Sequence, residues 1–253
     1  GTGGHNGIME VDQGLLSYLS GFLTERRLAR FHETLEYRTR YITVGLEDIY
    51  QPHNASAVLR TCDGFGVQDV HIIENRNTYR VNPDVALGSS QWLNLIKYNR
   101  GENNTAEAIR ALHTRGYRVV ATTPHRDGVR LEDLHLGEGP VAFLLGNELD
   151  GLSETAIEEA DVHMRIPIYG FVESFNISVA AAIILHHTTL ALRRSDLPWR
   201  LTEEEKQAIL LEWMRGSIPR REALEREYYR EAGGGGIARD GSLGAARDTE
   251  SPA

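Results

Sequence analysis

The chain has 253 residues, of which 41% are apolar and 25% charged, and it carries a formal net charge of −9. That describes an ordinary globular protein of one large or two small domains, with no apolar run of the ~18 residues a membrane span needs and no secretory segment. The single cysteine, Cys62, excludes an internal disulfide and fits a reducing, cytoplasmic setting; the acidic balance means that any contact with nucleic acid has to use a local basic face.

Residues 1–10, with glycines ahead of Met9, read as a tag outside the fold. Leu15 to Arg38 has helical spacing of apolar residues, within a helical extension over 11–40. Arg26, Arg27, Arg30 and Arg38 lie on it, either as a solvated face or as an RNA-gripping surface. Tyr41 to Glu47 alternates as a strand. A loop with Pro52 follows, then a helix from Asn54 that stops at Gly64 and Gly66. Asp69 to Ile73 is a short apolar strand, Asn75 to Asp84 a polar segment, and Leu95 to Tyr98 another strand. Thr105 to Arg115 is an amphipathic helix, and Tyr117 to Thr122 a strand leading to Thr123 and Pro124. Strands alternating with helices predict an α/β fold, a mostly parallel sheet with helices on both faces. No G-x-G-x-x-G follows the first strand, so a dinucleotide site is not supported.

Val141 to Leu145 is an apolar strand, Gly146 to Gly151 a turn, and Ser153 the cap of a short helix. Met164 to Ile168 is a strand end, where Pro167 removes a ladder donor. The loop Tyr169 to Ser174 then opens a helix, with Ser174 as the expected cap and Val179 to Leu185 too continuously apolar for an exposed face. His186 and His187 have no partner at ligand spacing, so no metal is assigned. Leu201 to Glu231 reads as one or two helices broken near Pro219, with a capping box at Thr202 and Glu205. Its stripe Ile209, Leu210, Trp213, Met214 is core or dimer contact. Arg220, Arg221, Arg226 and Arg230 beside Tyr228 and Tyr229 are a basic aromatic patch or a salt-bridged helix. From residue 233 the tail is glycine-rich and reads as disordered. The expected division is therefore 11–40, 41–195, 196–232 and the tail.

Three stretches occur in order, the last two sharing one strand–turn–helix grammar. They are Asn54 with Arg60 six residues on; Leu144-Leu145-Gly146-Asn147-Glu148 leading to Gly151-Leu152-Ser153; and Ile166-Pro167-Ile168 leading to Ser174, Asn176-Ile177-Ser178-Val179. In that order they resemble the signature motifs of the SpoU/TrmH family of SPOUT RNA 2'-O-methyltransferases, over about Tyr41 to Arg194.

The resemblance implies a C-terminal trefoil knot, a homodimer, S-adenosylmethionine as methyl donor, no metal, and a ribose 2'-hydroxyl as acceptor. The acceptor would be a tRNA nucleotide, the D-loop guanosine first, with rRNA or another tRNA position as the alternative. It implies donor-binding loops at Thr122 and Thr123, at Leu145, Gly146 and Asn147, and at Ile166 and Ile168, with Asn176 and Ile177. It places Arg60, Asn54, Glu148, Ser174 and Asn176 at the reaction centre. The dimer would use the apolar helices Ala180 to Leu192 and Ile209 to Met214. Plainer readings stand beside these: Asn54, Ser174 and Asn176 as helix caps, Arg60 as the partner of Asp63, and Glu148 as an acceptor for loop amides. Two other classes remain, an RNA-binding relative that does not methylate and a small-molecule α/β enzyme.

Overall fold

The computed structural model describes residues 11–78, 88–124 and 128–233. The expected tag, the tail beyond 233 and residues 79–84 of the polar segment lie outside them.

Seven strands form one sheet: β1 (Ile42–Glu47), β2 (Asp69–Ile73), β3 (Asn94–Tyr98), β4 (Arg118–Thr122), β5 (Val129–Arg130), β6 (Val141–Leu145) and β7 (Val162–Arg165). Their order is β3-β2-β1-β6-β4-β7-β5, and every pairing is parallel. The chain moves outward from β1 to β3, then returns to build the other half. β6 slots in between β1 and β4, with Leu46 level with Leu145. All strands therefore end at one edge, and the direction of winding reverses beside β1, where α/β sheets open a ligand crevice.

Alternation along β6 explains the layers. Val141, Phe143 and Leu145 pack into one apolar cluster, with α3 (Pro52–Phe65) and α6 (Ile177–Arg193). Ala142 and Leu144 face the opposite cluster, with α4 (Asn104–Thr114) and α5 (Glu154–Glu159). Both faces are thus covered, which is why β6 is apolar throughout.

The terminal helices share a third cluster. They are α1 (Gln13–Ser20), α2 (Glu25–Leu35), α7 (Glu203–Ser217) and α8 (Arg221–Gly233). The single helix expected over Leu15 to Arg38 is two: α1 stops at Gly21, and Thr24 caps α2 by accepting from the Arg27 amide. Thr202 and Glu205 form the full capping box of α7, and the break at Pro219 is where α7 and α8 part. Ile209, Leu210, Trp213 and Met214 bury against Leu15, Leu19, Phe31 and Leu35. That stripe is internal core, so it is not available as a dimer face.

Arg38 corrects the sequence reading most sharply. It is 2% exposed, pairs with Asp63, donates to the Val67 carbonyl at 3.2 Å and lies over the Trp213 ring. It ties the helical layer to α3 and is not an RNA contact. Burial pulls its guanidinium below the usual range, and the neighbouring Asp63 opposes that. Asp63 is also the acid that the plainer reading gave to Arg60.

Candidate active site

The expected donor loops lie at the ends of β6, β4 and β7, which are neighbours in the sheet. The turn after β6 is built by its own polar groups. The Asn147 Oδ1 accepts from the Leu149 and Asp150 amides, each at 2.8 Å, and Asn147 and Gly151 exchange backbone bonds at 3.0 and 3.1 Å. Gly151 has φ +74, and a Cβ on Gly146 would collide with the Gly151 and Leu152 backbone. Gly146 is glycine because the turn folds back on it. Leu145 and Ile177 are buried, and Ile166 and Ile168 half-buried. Thr122 donates to the Leu144 carbonyl at 2.7 Å, and the Thr123 amide to the Met164 carbonyl at 3.0 Å, so both fasten β4 to its neighbours. Apolar side chains and close-packed backbone thus meet at one strand edge.

The three motifs meet in one hydrogen-bonded chain. Asn54, 5% exposed, donates from Nδ2 to Glu148 Oε1 at 2.7 Å and accepts on Oδ1 from Asn176 Nδ2 at 3.1 Å. Glu148 also accepts from the Tyr50 and Gln51 amides at 3.2 and 3.4 Å. Gln51 precedes α3 without capping it through its own side chain, so Glu148 supplies the negative charge at that helix start. The amide-acceptor reading of Glu148 is realised together with its link to Asn54.

Two cap assignments change. α3 begins at Pro52, so Asn54 lies inside the helix and caps nothing. α6 is capped by Asn176, whose Oδ1 accepts from the Ser178 amide at 2.9 Å, while Ser174 lies exposed in the loop before it. Ser174 is not joined to the Asn54–Glu148–Asn176 chain.

Arg60 is not joined to it either. It sits six residues beyond Asn54, about 240° around the helix and about 9 Å along it. It is exposed and forms no hydrogen bond or ion pair with the described residues. Residues that spacing alone did not reveal also shape this edge. Glu47, the last residue of β1, and Asp48 just after it are buried carboxylates that hold the surrounding loops. An acid closing an otherwise apolar strand was the available signal.

Arg26 and Arg30 are exposed, with Arg30 paired to Glu33, while Arg27 lies over Phe31 and Trp92 and reaches Ser217. Arg220 and Arg221 line, with Arg215 and Arg226, a cavity of about 480 Å³ between α7 and α8. A second cavity, of about 530 Å³, lies between Ile166–Pro167 and the α6 residues Ile183, His186 and His187. Among the described residues no cluster of His, Cys, Asp and Glu is arranged to hold a metal ion. Burial pushes the Cys62 thiol up to about 12, so it is a packed core group.

A family model for the SpoU rRNA methylase family matches residues 41–186. The chain belongs to that family. A tRNA (guanosine(18)-2'-O)-methyltransferase of Borreliella burgdorferi is 41% identical over 210 residues, 83% of this chain and 94% of that protein. The crystal structure of the Aquifex aeolicus TrmH/SpoU tRNA modifying enzyme is 30% identical, with a TM-score of 0.68 over 78% of this chain and 98% of that one. An AdoMet-bound rRNA methyltransferase of Sinorhizobium meliloti is 26% identical, with a TM-score of 0.52 over 62% and 59%. The matched region begins at the foot of β1 and ends within α6. It contains all three motifs of the SpoU signature and every residue of the hydrogen-bonded chain.

Proposed function

We propose that this SpoU-family chain transfers a methyl group from S-adenosylmethionine to a ribose 2'-hydroxyl of tRNA, at the D-loop guanosine, position 18, for which its relatives are named. The observation that carries this is the Glu148–Asn54–Asn176 chain, which joins all three motifs at the carboxyl edge of the sheet. The donor slot is framed by Thr122–Thr123, Leu145–Asn147 and Ile166–Ile168, with Ile177 as an apolar wall, and the loops around it form a trefoil knot. The donor, when bound, brings a methyl group already activated by its sulfonium.

The chain's own residues then have to align and stabilise. The Asn54–Glu148–Asn176 chain fixes the relative placement of the turn after β6, the start of α3 and the start of α6. Fixed placement of reacting groups supplies several kcal/mol of such a barrier, up to roughly 7–11 in ideal cases. Arg60 grips a substrate phosphate and stabilises the developing 2'-oxyanion. A guanidinium does not give up its proton near neutrality, so it is not the base, and the hydroxyl proton leaves to water or to a phosphate oxygen.

Arg60 completes the site of a second copy in a homodimer. Exposed apolar residues support such an interface: Val179 and Leu190 on α6, and Tyr169, Phe171 and Val172 in the loop before it. Of the arginines named from the sequence, Arg26, Arg27, Arg30, Arg220 and Arg221 are exposed and are the ones proposed to meet RNA. The division into 11–40, 41–195 and 196–232 and a cytoplasmic setting belong to the same proposal.

The test is incubation with labelled donor and tRNA followed by nucleoside mapping. A 2'-O-methylguanosine at one D-loop position is the expected result. Labelled base, or no transfer while the protein binds donor, rejects the proposal.

A further inference from the structure

We infer that Glu47 is a positioning residue for methyl transfer: it holds the turn after β6 so that Glu148 meets Asn54. This rests on the function proposed above.

Glu47 is the last residue of β1 and is 1% exposed. Its Oε1 accepts from the Thr105 hydroxyl at 2.5 Å and the Ser153 hydroxyl at 2.6 Å, and its Oε2 accepts from the Ser153 amide at 2.7 Å. Among the described residues no cation pairs with it. A carboxylate taken out of water without a cation is costly, and three short charge-assisted bonds are what hold it there. Capping of α5 does not require it, because the Ser153 Oγ already accepts from the Ala156 amide at 3.1 Å.

The placement says what the carboxylate does. Leu46 is level with Leu145, so Glu47 stands beside Gly146, where the turn leaves the sheet. The turn's neck is locked by the Asn147–Gly151 pair, but as a unit it hangs from the end of β6. The Ser153 bonds fasten its far end to β1. Residues 50–54, which receive Glu148, follow Glu47 in the same chain segment. One strand end thus fixes both the turn and its landing place. Releasing Ser153 lets Glu148 drift from Asn54, and a displacement of about 1 Å near a reacting centre costs on the order of 10²-fold in rate.

Glu47→Ala and Glu47→Gln in the full-length chain test this. A glutamine carbonyl still accepts from the Ser153 amide, and its NH₂ can donate to the second lone pair of the Thr105 and Ser153 hydroxyl oxygens, whose first accepts from Asn75 Nδ2 and from the Ala156 amide. We expect Glu47→Gln to keep kcat within about threefold of wild type. We expect Glu47→Ala to lower kcat by about 10²-fold with the tRNA KM nearly unchanged, and to speed amide exchange at Ser153. If Glu47→Ala fails to fold, Glu47→Asp, which withdraws the carboxylate by one methylene, reads the same loss of kcat. A folded Glu47→Ala enzyme with wild-type kcat and wild-type Ser153 exchange overturns the inference, as does a Glu47→Gln enzyme as slow as Glu47→Ala. If wild type transfers no methyl to RNA, the functional proposal fails by itself. Ser153 exchange then still decides whether Glu47 holds the turn: unchanged in Glu47→Ala, it overturns the inference.

Discussion

Replacing Arg38 with alanine separates a structural cation from an RNA contact. Arg38 is 2% exposed and pairs with Asp63, which is 29% exposed. Breaking a fully buried pair costs about 3–5 kcal/mol, and the partial exposure of Asp63 lets its charge rehydrate, which trims that to about 2. Losing the cation over the Trp213 ring adds about 0.5–2 kcal/mol, and the Val67 carbonyl left without its donor adds about 1. Against this, a buried Nε that has no partner among the described residues is removed, which returns about 1 kcal/mol. The net loss is about 2.5–4 kcal/mol, or a fall of about 5–15 °C in Tm for a chain of this size. Calorimetry reads the stability, and tRNA binding across a salt series reads the contact. A phosphate contact would lower the salt slope by about one; a core residue leaves it unchanged in the folded fraction. An Arg38→Ala protein with wild-type Tm and a flatter salt slope would refute the reasoning.

Gly146→Ala puts a methyl group into the Gly151–Leu152 backbone and opens the turn. Donor binding by calorimetry is expected to weaken by about tenfold or more, worth about 1.4 kcal/mol; unchanged affinity would mean the turn does not frame the slot. His71 in β2 stacks on Tyr98, and burial, aided by the charge of Arg115, pushes its pKa down to about 4 from 6.5. The unfolded chain therefore binds the extra proton first. Stability is fully present above about pH 6.5 and falls by about 2–3 kcal/mol as pH drops towards 4. Urea midpoints of wild type and His71→Gln at pH 7 and 4.5 check this: the variant is expected to lose less, and equal losses would assign the acid sensitivity elsewhere. Val179→Asp with Leu190→Asp charges the exposed side of α6, and the variant is expected to sediment as a monomer under conditions where the wild type is expected to sediment as a dimer. A dimer that survives both charges would place the interface on another surface.

What the sequence made legible was set by local rules. Short apolar runs located β2 and β6 and alternation located β1, while the two-residue β5 was too short to leave a pattern; Thr202 with Glu205 announced a cap that needs no distant partner. The misreadings came where the partner is distant in sequence. Arg38 looked like its exposed neighbours Arg26 and Arg30, because its burial depends on Asp63 and Trp213. Ser174 and Asn176 are both good caps by type, and the choice fell to the residue that also reaches Asn54. Helix spacing carried through Gly21 because the apolar period continues across it, while the backbone turns there to bring α1 against α7 and α8. Glu47 is marked in the sequence only as an acid closing an apolar strand, and its partners Thr105 and Ser153 lie too far along the chain for the sequence to pair them with it.

In the proposed dimer, Arg60 and the Asn54–Glu148–Asn176 chain, which one copy keeps on different faces of α3, act on a single ribose across two copies. Mixed dimers of Arg60→Ala with Asn176→Ala, purified by two different tags, test it directly. Each parent is expected to be inactive, and the mixed dimer to regain about half of wild-type activity, because one of its two sites is intact. A purified mixed dimer as inactive as its parents would contradict the account.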